Sequence, residues 1–390
     1  MMSGFSRKHI IMVAVTVAVV LLAGIIFLVV PLGDNTPPQD VFAEATTAPP
    51  PEPTTAEATP PPAEEDPYHT TRWDDEDEEL IDDRPRSLLT GLPIDEEYLY
   101  RRPVAVVVNN IHVAQPQSGI AQADIIYEVL AEGDITRFVA IFQSYMPTKI
   151  GPVRSTRDYF TDIALNHDSI IIHHGGSPTG YTSIRNTGIP SLDGMQLEGT
   201  VFWRDRTYPA WHRNSGQRPL EHSSYTSWER ISNHLTSRNI RNAVGDNPAF
   251  GFTFGEVPQG NGVANTITVP FSPIYVRTFI FDPETGLYMV EYQHGPHLDA
   301  VTEEQIAVAN VLVQFVTKRV VGPYGRRAVG TVGEGTGYFA TGGHYQPVRW
   351  VKESATAPMR WYFEDGTPLV LVPGRTWVNV FQTTGVVEFE

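Results

Sequence analysis

Pro103-Val104-Ala105-Val106-Val107-Val108-Asn109-Asn110 is a short apolar run with no polar alternation, and such a run predicts a strand buried on both faces. A buried strand needs neighbours. Residues 125–130 and 135–145 supply two more apolar runs, separated by Ala131-Glu132-Gly133-Asp134, and a four-residue gap containing glycine is a hairpin signal. Between them and the first strand, residues 117–123 fit a short helical turn. Ser155 then reads as the N-cap of a helix whose apolar face is Tyr159, Phe160, Ile163 and Ala164, with Asp158 and Asp162 on another. This helix leads into Ser169-Ile170-Ile171-Ile172-His173, another buried strand. Thr226-x-x-Glu229 reads as a capping box for a helix burying Trp228, Ile231 and Leu235. Strands and helices mixed in this way predict a layered domain.

From about Asn265 the pattern changes to strands. Runs at 279–282 and 287–292 flank Pro-Glu-Thr-Gly, runs at 360–364 and 368–372 flank Asp365-Gly366, and Gly342-Gly343 supplies a third turn. Residues 308–321, rich in β-branched side chains, read as one long strand, with a helix starting at Thr302-x-x-Gln305 as the alternative. Gly330, Gly333, Gly335 and Gly337 do not form a phosphate loop, because Tyr338-Phe339-Ala340 reads as a strand, and they are assigned to turns. The Gly/Asn/Pro-rich stretch 245–262 is the expected joint.

The first 86 residues place this folded part. Residues 10–32 hold 23 residues without a charge, more than the roughly 20 needed to cross a bilayer core as a helix. Arg7 and Lys8 precede the run and no basic residue follows until Arg72, so residues 1–9 are expected in the cytoplasm and the rest outside. Residues 34–83 contain 16 acids against Arg72 alone, with several proline runs. That composition predicts an extended, disordered linker over 33–86, reaching up to about 160 Å at roughly 3.1 Å per residue.

The formal charge of −17 is concentrated in that linker. Residues 84–390 carry 29 acids and 25 bases, 22 of them Arg, so neither a nucleic-acid footprint nor a basic membrane patch is expected. Arginine favours planar, bidentate recognition. The absence of cysteine excludes disulfides, thiolate metal sites, a cysteine nucleophile and a lipidated cysteine.

The densest polar cluster is Gly151-Pro152-Val153-Arg154-Ser155-Thr156-Arg157. Two guanidinium groups at a helix start describe an anion site; the competing reading pairs both with Glu128, Glu132 or Asp124. The second cluster is His173-His174-Gly175-Gly176-Ser177-Pro178, placed after a strand, where ligands of layered α/β domains often bind. Adjacent residues of a strand point to opposite faces, so one of the two histidines faces a given site. His212, His222 and Asp193 lack metal-ligand spacing, and Ser177 lacks a nucleophile motif. Neither a metal nor a cofactor is called for. Trp203, Arg204, Arg206, Tyr208 and Trp211 form an aromatic and basic loop that fits either a cover over the core or a stacking surface for sugars.

Arg102-Pro103-Val-Ala-Val through Asn109-Asn110, Pro116-Gln117-Ser118-Gly119, Ala123-Asp124-Ile-Ile-Tyr127-Glu128, Glu132-Gly133-x-x-Thr136-Arg137, Gly151-Pro-Val-Arg154-Ser155-x-Arg157 and His174-Gly-Gly-Ser177 succeed one another. In that order they resemble the motifs of the YerB-like lipoprotein family over about residues 87–385. The resemblance implies an envelope protein with a layered sandwich and a separate C-terminal domain, and implies no activity. The sequence departs from a lipoprotein in lacking cysteine. The expected fold is α+β: a sheet/helix sandwich over 87–245 and a second, mainly β domain over 263–390. The expected function is non-catalytic binding of an anionic ligand, a cell-wall polymer or an envelope partner protein. Arg154, Ser155, Arg157, His173, His174 and Ser177 are the candidate ligand-binding residues. Arg154, Arg157 and one of the two histidines are expected to share a pocket. The alternative is a hydrolase or modifying enzyme acting on an envelope glycan.

Overall fold

A computed structural model describes residues 82–390 except 215, 246–251 and 258. The predicted membrane span at 10–32 and the linker up to residue 81 lie outside these residues. Among the described residues no helix is long and apolar enough to cross a membrane.

The strands that position the site are β1 (Val104–Asn109), β2 (Ile125–Leu130), β3 (Thr136–Phe142), β4 (Ile170–His173) and β5 (Ser191–Asp193). From the second region come β6 (Thr266–Ser272), β7 (Tyr275–Asp282), β8 (Leu287–Tyr292), β9 (Asn310–Val316), β10 (Gly333–Thr341), β11 (His344–Lys352), β12 (Arg360–Phe363) and β13 (Thr376–Gln382). Besides a single turn at Glu96–Leu99, the helices are α1 (Asp158–Leu165), α2 (Pro178–Thr187), α3 (Gly194–Leu197) and α4 (Trp228–Ser237). The main sheet runs β12-β11-β10-β9-β13-β2-β3-β1-β4-β5, and a smaller one is built on β8-β7-β6.

The fold is thus α+β with a mainly β second region, and the two regions share a sheet. Strand β13, near the C-terminus, pairs in parallel with β9 on one side and with β2 on the other. Both faces of β1, β2, β3 and β4 are buried in this sheet, which is why β1 reads as an unbroken apolar run. Val104, Val106 and Val108 belong to one buried cluster with Ile267, Phe279 and Val290 of the small sheet and Ile231 and Leu235 of α4. Ala105 and Val107 face the α1 side chains Tyr159, Phe160, Ile163 and Ala164. Each fully buried valine or isoleucine contributes about 1.5–3 kcal/mol before entropy is counted.

Several local expectations shift. Helix α1 starts at Asp158 with Arg157 at its N-cap position, so Ser155 caps nothing; its hydroxyl donates to the His174 carbonyl at 3.0 Å. Helix α4 starts at Trp228 and is capped by Ser227, whose hydroxyl accepts the Arg230 amide; the Thr226 hydroxyl, one residue earlier, donates to the Val201 carbonyl. The strand expected over 308–321 is broken into Ala307–Val308, β9 and Lys318–Val320, and no helix begins at Thr302. The turn at Asp365-Gly366 does close a hairpin, with the Phe363 amide on the Thr367 carbonyl and the Leu369 amide on the Trp361 carbonyl, both at 2.9 Å, and beyond it Val370–Leu371 leaves β12 to pair in parallel with Thr253–Phe254. Gly333, Gly335 and Gly337 lie in strand β10 and not in turns. A Cβ on Gly335 would fall 2.7 Å from the Trp350 indole nitrogen, so close packing explains that glycine.

Candidate functional site

Strands β1, β4 and β5 are mutually parallel, so Asn109, His173 and Asp193 end at one edge of the sheet. The segment bearing Arg154 is laid against this edge: its amide bonds the Val107 carbonyl at 2.8 Å, and its own carbonyl accepts from the His174 amide at 3.1 Å. Ser155 joins the same two segments. The structure therefore brings Arg154, Ser155 and His174 together.

His173 and His174 separate as strand alternation requires. The His173 imidazole is fully buried and its Nδ1–H donates to the Gly175 carbonyl at 2.8 Å. His174 meets Arg204, whose guanidinium donates to Nε2 at 3.0 Å. Nδ1 then carries the proton and donates to the Ser224 hydroxyl at 2.8 Å. Burial first, then the Arg204 charge, lowers the His174 pKa, so the ring is held neutral. Arg204 is itself clasped by Glu198 at 2.7 and 2.9 Å.

The two arginines of the first cluster behave differently. Arg157 forms a short ion pair with Glu132, which also takes Arg137 at 2.8 Å. Arg157 thus follows the competing reading. Arg154 donates to the Glu221 carbonyl at 2.6 Å, and no salt bridge to it occurs among the described residues. Burial lowers its pKa; the Glu221 and Glu132 charges oppose that shift, while those of Arg157 and Arg204 add to it. It is a cation at a half-open edge, with charges of both signs nearby. Ser177 is the N-cap of α2, accepting the Gly180 amide at 3.0 Å, which is a structural use of its hydroxyl. Asp193 accepts the Gly175 and Met195 amides and the Tyr181 hydroxyl, and these bonds hold the loop after His173 in place. Among the described residues no three His, Cys, Asp or Glu groups converge as a metal site would require.

A second polar cluster is wholly buried where β2 meets the small sheet. Arg277 on β7 donates to Glu128 on β2 at 2.8 Å, both being about 2% exposed. Its guanidinium also donates to His297 Nδ1 at 3.2 Å. His297 Nε2 therefore holds the proton, facing the Tyr292 hydroxyl and the Gln117 side-chain carbonyl. Asn110 and Thr136 complete the network by donating to Glu128. Burial and the Arg277 charge push the His297 pKa well below its ordinary value. The resemblance-motif residues Asn110, Gln117, Glu128 and Thr136 thus converge on a structural joint. Arg277, Tyr292 and His297 were missed by sequence reasoning. A signal existed: Arg277 has the inward parity of Phe279, and Glu128 that of Ile126 and Leu130, so each implies a buried partner.

Two sequence regions that meet in one mixed sheet match the two domains of a single family. Residues 89–241 match the N-terminal domain, and residues 267–378 the C-terminal domain, of the family described as "Protein of unknown function (DUF3048)"; the chain belongs to this YerB-like family. It is similar to a Bacillus subtilis (strain 168) protein described as "Putative lipoprotein YerB", with 32% identity over 311 residues, covering 78% of this chain and 89% of the relative. The crystal structure of the YerB protein from Bacillus subtilis superposes with a TM-score of 0.67 at 30% identity, over 78% of this chain and 100% of that one.

Proposed function

We propose that this chain is an envelope protein, anchored in the cytoplasmic membrane by residues 10–32, that binds an anionic ligand outside the cell at the Arg154–His174–Arg204 edge. The anchor reading rests on the uncharged run and on the relative's description as a lipoprotein; with no cysteine to acylate, a helix is the available anchor. Protease added to spheroplasts should release the folded part. Protection until lysis would overturn the orientation.

The observation that carries the binding reading is Arg154, a guanidinium with a carbonyl partner at 2.6 Å and no carboxylate bridge among the described residues. Its remaining N–H groups suit a phosphate or carboxylate, and the neutral His174 adds a ring whose proton points at Ser224. Calorimetry with inorganic phosphate and tripolyphosphate as probes tests it. Binding should disappear in Arg154→Ala with the melting temperature held. Equal binding by wild type and variant would refute the site.

A further inference from the structure

We propose that the hairpin of Lys318–Val320 and Arg327–Val329 is a contact surface for an anionic lipid bilayer. The two strands pair Lys318 with Val329, Arg319 with Ala328 and Val320 with Arg327. Residues 305–333 contain no Asp or Glu but hold Lys318, Arg319, Arg326 and Arg327, a local excess of positive charge in a chain of net charge −17. The acids that touch this segment are Asp134, 3.5 Å from Arg327, and Asp162, bonded to Thr331 at the base of the hairpin. Arg319 and Arg326 make no ion pair among the described residues.

Apolar exposure coincides with this charge. Val320 is 60% and Val321 51% exposed, with Val332 at 43%. Single exposed apolar residues need no explanation, but here the register puts Val321 on the hairpin face of Arg319 and Arg326, with Val320 on the other face beside Arg327. A soluble polyanion would use the cations and leave the valines in water. A bilayer surface uses both, because headgroup charge attracts Lys and Arg while small apolar side chains enter the interface. The inference rests on the anchor reading above, which keeps a bilayer within reach, and is independent of the Arg154 site.

Because the sequence has no cysteine, Val321→Cys provides a single labelling site in the full chain. A polarity-sensitive dye there should shift to the blue, and be quenched by nitroxide lipids, in phosphatidylcholine vesicles containing phosphatidylglycerol. It should stay aqueous in phosphatidylcholine alone, as should the same dye at Glu284→Cys in mixed vesicles. Arg319→Glu with Arg326→Glu should reverse the shift, each lost cation weakening contact by about fivefold. Aqueous emission in both vesicle types, with the chain still vesicle-bound, would overturn the hairpin contact. Failure to remain with any vesicle would instead overturn the anchor. A shift abolished by deleting residues 74–79, but indifferent to lipid charge, would assign the surface to the chain's own acidic segment and also overturn the proposal.

Discussion

The Glu128–Arg277–His297 joint and the Arg154–His174–Arg204 edge are built from the same residue types, yet one is saturated and buried and the other half-open. At the joint each charge meets an opposite charge and several neutral donors or acceptors, as burial of ions demands. At the edge Arg154 keeps donors in reserve. The contrast fits an architectural role for the joint and is the ground on which recognition is proposed for the edge.

The largest expected effect is at the joint. Arg277→Met should cost about 3–5 kcal/mol in urea denaturation by leaving Glu128 charged, buried and unpaired. Adding Glu128→Gln should recover much of that loss, and no recovery would show that the joint is not organised around this pair.

His297 sharpens the comparison through pH. Its folded pKa lies below its unfolded one, so its contribution is present above about 6.5 and is lost as pH falls, by up to about 1.4 kcal/mol per pH unit. His297→Gln should flatten that acid slope. Asp124 acts oppositely: burial raises its carboxyl to about 6, so the folded chain holds its proton longer and stability falls as pH rises from about 4 to 6. Asp124→Asn should remove this slope, and denaturation series across pH separate the two.

Ser177→Ala tests the loop that supports the edge. Loss of the α2 cap should cost about 1 kcal/mol, read in the same denaturation assay. The smallest stability change belongs to Arg154→Ala, within about 0.5 kcal/mol as for other open surface positions. A loss as large as that of Arg277→Met would erase the distinction between the two clusters.

The short strand motifs explain how much was legible. Residues 104–109, 125–130 and 170–173 announce buried strands because both of their faces meet apolar layers, and that pattern is local. Ser155 and Thr226 misplace their caps because the helices start at Asp158 and Trp228, while the two hydroxyls are turned to carbonyls distant in sequence, His174 and Val201 respectively. The glycines of β10 resemble turn residues until Trp350 is seen against them. Likewise Arg154 and Arg157 are indistinguishable in sequence, and a single carboxylate, Glu132, separates their roles.

The sequence by itself determined the strand-rich α+β class, the family, the concentration of acid before residue 84 and the arginine character of the candidate site, since these depend on composition and local periodicity. Tertiary structure alone decided that β13 stands between β2 and β9, that Glu128 meets Arg277 across 149 residues, and that Arg154 lacks a carboxylate bridge among the described residues. Each is a long-range pairing. Strand order and charge partnership follow from which faces are buried together, and no local pattern in the chain encodes that.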